Sequence, residues 1–150
     1  MELAAFIISI IALVGSFLFS LWTINLNRIE AIKQFYEEVD SKEYKQSQGI
    51  LYSKIHNDTT DFDKDYEEYA LVLAFYDKWG ALCNNHYLPI WLFEGNHGYK
   101  VIIFYEGLEP YIKKRRQESY NGIKNEKYAI PFENLYKKVR KKYKHHYTHY

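Results

Sequence analysis

Between Glu2 and Arg28 the chain carries no charged side chain. At ~1.5 Å rise per residue, a helix over this stretch reaches roughly 37 Å, enough to cross a hydrocarbon layer of ~30 Å. No other segment has this character, so the sequence predicts one N-terminal membrane helix, residues 1–27, followed by soluble material. A cleaved signal peptide needs a basic start, a shorter apolar core and a small-residue cleavage site. Here the early side-chain charge is Glu2, the core is long, and Ser20-Leu21-Trp22-Thr23-Ile24-Asn25 offers no A-x-A pattern. The segment is therefore expected to stay as an anchor. Arg28, Lys33 and Lys42 follow it and no Lys or Arg precedes it. That bias places the N-terminus outside and the remainder in the cytoplasm. Trp22, with Asn25 and Asn27 behind it, suits the inner interface. The lone Cys83 agrees with a reducing compartment.

On a helical wheel the polar and small residues of the anchor are not scattered. Ala5, Ser9, Ala12, Ser16, Ser20, Thr23 and Asn27 share an arc of about 80° at 3.6 residues per turn. Phe6, Ile7, Ile10, Ile11, Val14, Phe17, Leu18 and Leu21 cover the rest. Small faces let membrane helices approach closely and exchange hydrogen bonds, so the stripe predicts a homo-oligomer. Serines that bond back to their own i−4 carbonyls need no partner, which is the plainer reading. Dry packing and a polar pore lining use overlapping residues, and the sequence leaves both open.

The rest of the chain suits one small domain, residues 28–142, with a basic and His-rich tail at 143–150. Ile29, Ile32, Phe35 or Tyr36, and Val39 recur at helical spacing, so the anchor helix continues or restarts after a bend. Asp40 with Glu43 reads as a capping box before a helix carrying Tyr44, Ser47, Leu51 and Ile55. After the acidic, turn-prone Asn57 to Asp65 comes a helix with Tyr66, Tyr69, Leu73 and Tyr76 on one face and Val72, Phe75 and Trp79 beside it. Pro89 suits the start of a short helix through Phe93, Gly95 to Gly98 a break, and Pro110 an interruption. Asn121-Gly122 marks a turn, and Pro131 opens a last helix with Phe132, Leu135, Tyr136 and Val139 inward. Val101 to Tyr105 has strand-like composition, but no second convincing strand is available to pair with it. The predicted class is all-α: one transmembrane helix and a compact cytoplasmic helical domain.

Several of these segments carry a resemblance. The order of a single span, a helix ending near Lys54-Ile55, an acidic lead into Tyr69-Ala70-Leu71-Val72-Leu73-Ala74-Phe75-Tyr76-Asp77-Lys78-Trp79-Gly80, and Leu108-Glu109-Pro110-Tyr111-Ile112-Lys113-Lys114-Arg115-Arg116 resembles a bacterial family of small anchored proteins catalogued as domain of unknown function four-seven-six-zero. The likeness covers roughly residues 1–140. It implies a bacterial inner-membrane protein with a helical cytosolic part and a role among small membrane effectors of phage defence. It brings no catalytic residues.

Charge is strongly asymmetric. Residues 1–110 hold 8 Lys/Arg against 16 Asp/Glu and residues 111–150 hold 12 against 3, so net charges of −8 and +9 make up the overall +1. Lys113, Lys114, Arg115, Arg116, Lys137, Lys138, Arg140, Lys141 and Lys142 form the candidate site for an anionic ligand or lipid headgroup, with Lys124, Lys127 and Lys144 nearby. Membrane lipid fits such a set, at ~1 kcal/mol per basic residue near the surface. So does a nucleotide or oligonucleotide, since Tyr111, Tyr120, Tyr128, Tyr136 and Tyr143 interleave with the cations. A neighbouring subunit's acidic Asp58 to Glu68 segment fits too, as does a protein partner encoded nearby.

Catalytic and metal signatures are wanting. Asp61-x-Asp63-x-Asp65 is followed by Tyr66 where a calcium loop needs glycine and by Val72 where it needs Glu. An acid-enriched helix start accounts for it. His145, His146 and His149 lie in a polar tail, and His86 and His97 lack a paired acid or nucleophile. The reading is a non-enzyme without cofactor or metal. It is either an oligomeric, channel-like effector whose cytosolic helices respond to an anionic nucleotide-type ligand or partner, or a membrane-tethered docking module.

Overall fold

The apolar run and the amphipathic stretch behind it form one helix, α1, Glu2–Asp40, in a computed structural model that describes residues 2–62, 64, 66–120 and 123–143. The chain divides into two units, Met1–Tyr36 and Glu37–Tyr150, so by compactness the body begins at Glu37. In the first unit the apolar helix presents Ile8, Leu13, Phe17 and Phe19 outward. It is long and apolar enough to cross a membrane, with a mean hydropathy of 2.3 and none of its apolar window buried.

The second unit is a helical body of α2 (Lys42–His56), α3 (Tyr66–Asn84), α4 (Asn96–Gln117) and α5 (Ile130–Tyr143). A 3₁₀ turn, Ile90–Phe93, precedes α4. Two-residue strands β1 (Ser119–Tyr120) and β2 (Ile123–Lys124) pair antiparallel between α4 and α5. The Asn121-Gly122 turn itself lies outside the described residues. Val101 to Tyr105 is helical within α4, and the all-helical expectation holds.

Helix α3 is the centre of the body, as its two apolar faces require. Tyr69, Val72, Leu73, Phe75, Tyr76 and Trp79 are buried, whereas Tyr66 is exposed. Tyr76 stacks on Phe132 of α5 at 4.8 Å, and Phe75 meets Tyr44 of α2 at 4.1 Å. Burial on this scale, mostly aromatic, dominates the stability of so small a body. The α3–α5 approach depends on Gly80, where a Cβ would lie 2.7 Å from the Pro131 carbonyl oxygen. The start of α5 is tied to α3 by side chains. Asp77 Oδ1 accepts from the Phe132 N–H at 3.2 Å, and Asn84 Nδ2 donates to Pro131 O at 2.9 Å. Asp77 thus satisfies one of the donors that a helix start leaves without an internal partner.

Three local expectations are corrected. The cap of α2 is Ser41, not Asp40. Ser41 takes the extended backbone that a cap needs, and its Oγ accepts from Tyr44 N at 3.2 Å. Asp40 instead ends α1 and pairs with Lys45 at 2.8 Å. The break around Gly95–Gly98 shrinks to Gly95, whose φ of +59° favours glycine, while Gly98 is buried inside α4. Pro110 does not interrupt α4, which runs through it. Pro110 and Glu106, whose carbonyl loses its helical donor, are both exposed, so water can serve that carbonyl.

Candidate functional site

The stripe on α1 comes out with its hydroxyls turned onto the helix. Ser16 Oγ donates to Ala12 O at 2.8 Å, Ser20 Oγ to Ser16 O at 2.9 Å and Thr23 Oγ1 to Phe19 O at 2.9 Å. Ser9, Ala12 and Asn27 are exposed, and the side chain of Ala5 lies outside the described residues. With their protons directed to i−4 carbonyls, these hydroxyls offer a neighbouring helix smallness and acceptor oxygens more than donors.

The basic set predicted as an anion site is spread along the α4–α5 pair, with Arg116 and Lys137 meeting at Glu133. Arg116 Nη1 pairs with Glu133 at 2.8 Å while its Nε donates to Tyr128 O at 2.8 Å. Farther along, Tyr136 OH donates to Glu106 at 2.9 Å, and Arg140 donates to the Tyr136 oxygen at 2.5 Å. These links make α4 and α5 antiparallel. The Lys113–Arg116 run therefore sits beside the start of α5, and the Arg140–Lys142 end of α5 lies roughly 15 Å away, about ten residues back along α4. Within each group most charges are engaged. Lys113 pairs with Glu109 at 3.0 Å, Arg115 with Glu118 at 2.7 Å and Lys137 with Glu133 at 2.5 Å, and Lys138 donates to Asn84 O at 3.2 Å. Lys114, Lys141 and Lys142 are exposed, with Lys142 above the Tyr143 ring. Arg116 and Glu133, with side chains 24% and 21% exposed, brace the α4–α5 junction. The Glu133 carboxyl is held below its ordinary value, chiefly by the Lys137 hydrogen bond and also by Arg116, against partial burial.

A groove that sequence reasoning missed lies between α2 and α4. It has a volume of about 470 Å³ and is lined by Lys45, Gln48 and Tyr52 from α2 and by Asn96, Tyr99 and Lys100 from α4. Gln48, 8% exposed, is a buried polar residue of the core. Its Oε1 accepts from Lys100 Nζ at 2.5 Å and its Nε2 donates to Tyr44 OH at 3.0 Å. Tyr44 in turn is hydrogen-bonded to Tyr76, and burial pushes both phenols up. Two lysines line the groove, and one of them, Lys45, pairs with Asp40. Lys100 is pushed below the ordinary lysine value by burial and by Lys45. His97 is pushed down by burial and by Lys100, with Asp40 acting the other way. The one sequence signal for this site was a glutamine on the inward Tyr44–Leu51 face of α2.

Among the described residues no group of three or more His, Cys, Asp or Glu could hold a metal. Asp61 pairs with Lys64 at 3.0 Å and accepts from its N–H. Asp63 and Asp65, like Lys144, His145, His146 and His149, lie outside the described residues. Cys83 is buried, its thiol pushed up to about 11 by burial, unlike a reactive cysteine. Comparisons with protein families, with characterised proteins and with solved structures return no match to this chain. The family resemblance therefore rests on the motifs quoted from the sequence.

Proposed function

We propose that this chain is an oligomeric effector of the bacterial inner membrane, with α1 spanning the bilayer, the N-terminus outside and the helical body in the cytoplasm. Anchors associate through the Ser9, Ser16, Ser20 and Thr23 face. The body holds or releases that assembly in response to an anionic nucleotide-type ligand or partner, and the output is a channel-like change in membrane permeability. A place in phage defence is what the family resemblance adds. The observation that carries the reading is the continuity of α1. The helix that bears the apolar run ends at Asp40, and its last turn is fastened into the body, where Glu38 accepts from Lys78 Nζ at 2.6 Å and from the Trp79 indole N–H at 3.2 Å. A change in the body therefore has a helical route toward the anchor.

The second reading, a tethered docking module, is favoured by the back-bonded hydroxyls, since a helix whose serines are internally satisfied needs no partner. Expression in bacteria separates the two. The effector reading expects depolarisation or growth arrest, relieved by Ser9→Leu, Ser16→Leu and Thr23→Leu together. Cells that stay polarised at full expression in the membrane, with the triple variant indistinguishable, overturn it in favour of the tether.

A further inference from the structure

We infer that the α2–α4 groove is a binding site for a mononucleotide, whose phosphate meets Lys45 and Lys100 and whose base lies against Tyr52 and Tyr99. The two lysines come from different helices and both line the space. An ammonium has three donors, and Gln48 takes one from Lys100. The partner of Lys45, Asp40, is a solvent-exposed carboxylate. An exchange of that exposed pair for a phosphate costs little, because solvent already screens it. Two like charges facing a partly buried space raise each other's free energy, and an anion between them relieves it. Burial first, and Lys45 second, push Lys100 below the ordinary lysine value.

Geometry and chemistry narrow the ligand further. A space of about 470 Å³ lies in the usual range of small-molecule sites, roughly 300–1,000 Å³. It suits a single nucleotide rather than a strand. Tyrosine rings accept flat bases by stacking, and the exposed Asn96 amide carries both a donor and an acceptor for a base edge. The polar floor is preset, because Gln48 is fixed at both ends by Lys100 and Tyr44. Lys45 also gives the site a consequence. It holds Asp40, the last residue of α1, so a phosphate that draws Lys45 into the groove loosens the α1–α2 corner. That consequence, though not the binding itself, rests on the effector reading above.

The test uses the full chain in mild detergent micelles. Calorimetric titrations would be run with the four common ribonucleoside 5′-monophosphates, adenosine, inorganic phosphate, and micelles doped with phosphatidylglycerol. At least one monophosphate should bind, at least about tenfold tighter than adenosine, which lacks the charge-assisted contacts, or than phosphate, which lacks the stacked base. Lys100→Gln keeps a donor for Gln48 and removes the charge, and should weaken binding about tenfold. Gly49→Leu should abolish it while the body stays folded, because Gly49 lines the groove and a Cβ there meets nothing within 4 Å. The inference is overturned if no monophosphate binds at millimolar concentration, if Lys100→Gln and Gly49→Leu bind as the parent does, or if phosphatidylglycerol alone occupies the site. Binding that survives while expressed protein leaves cells polarised retains the groove and removes the effector. Depolarisation that Ser-to-Leu changes relieve, without nucleotide binding, does the reverse.

Discussion

Removing the Glu38 carboxylate is expected to destabilise the helical body mainly through Trp79, not through the ion pair. Lys78 and Glu38 have side chains 52% and 35% exposed, and pairs so open to solvent are worth ~0.2–1 kcal/mol. Trp79 is 1% exposed, and its indole N–H donates to the same carboxylate oxygen. Leaving a buried donor without an acceptor costs ~1–3 kcal/mol. Glu38→Ala loses both contributions, about 1–4 kcal/mol together. Glu38→Gln keeps an oxygen for Trp79 and loses only the charge, under about 1 kcal/mol. For a body of this size a kilocalorie moves the midpoint by roughly 4 °C. The expected losses are then about 4–16 °C for the alanine variant and no more than about 4 °C for the glutamine one, the alanine loss always the larger. Thermal unfolding of the full chain in mild detergent, followed by near-ultraviolet circular dichroism, resolves the difference. Equal losses in the two variants would refute the argument by showing that charge, not the indole contact, carries the energy. Losses below about 0.5 kcal/mol in both would show that the last turn of α1 is not fastened by this residue.

Other perturbations test separate parts of the account. Gly80→Ala should cost about 1–2 kcal/mol in urea unfolding even after its gain in helix propensity, because the obstructing atom is the Pro131 backbone carbonyl. Gly107→Ala should also destabilise, by about 1–2 kcal/mol, since a Cβ there meets Cδ1, Cγ1 and Cγ2 of the β-branched Ile55 side chain. Glu133 has a folded pKa lowered by Lys137 and Arg116, so its contribution is present above about 4.5 and is lost as pH falls through the folded value. Acid titration of stability should show that decline, and Glu133→Gln should flatten it. Cys83 should react with a thiol reagent at pH 8 far more slowly in the native protein than in denaturant, as its raised pKa and burial require.

Periodicity made much of the fold legible. The inward sides of α3 and α5 follow from the spacing of Tyr69, Val72, Tyr76 and Trp79 and of Phe132, Leu135 and Val139, all of which are buried. The α1–α2 junction was misplaced by one residue because Asp40 and Ser41 are both good caps. The outcome depends on which of them leaves the helical backbone. Pro110 was over-read because its cost depends on whether the orphaned carbonyl can meet water. The surroundings of the basic runs were illegible for a different reason. A count of charges does not register that Glu106, Glu109, Glu118 and Glu133 stand beside them. The groove was invisible because Gln48 and Lys100 are 52 residues apart and meet only when α2 packs near α4. A lone inward glutamine is a weak signal until its partners are known.

The claim on which the functional account turns is that anchors meet through one face of α1, and cysteine cross-linking in native membranes reads that face directly. In a Cys83→Ser background, Ser16→Cys and Ser20→Cys should form disulfide-linked dimers under mild oxidation, while Leu18→Cys, on the opposite side of the helix, should not. Monomers at both serine positions, or dimers formed equally well at Leu18, would contradict it.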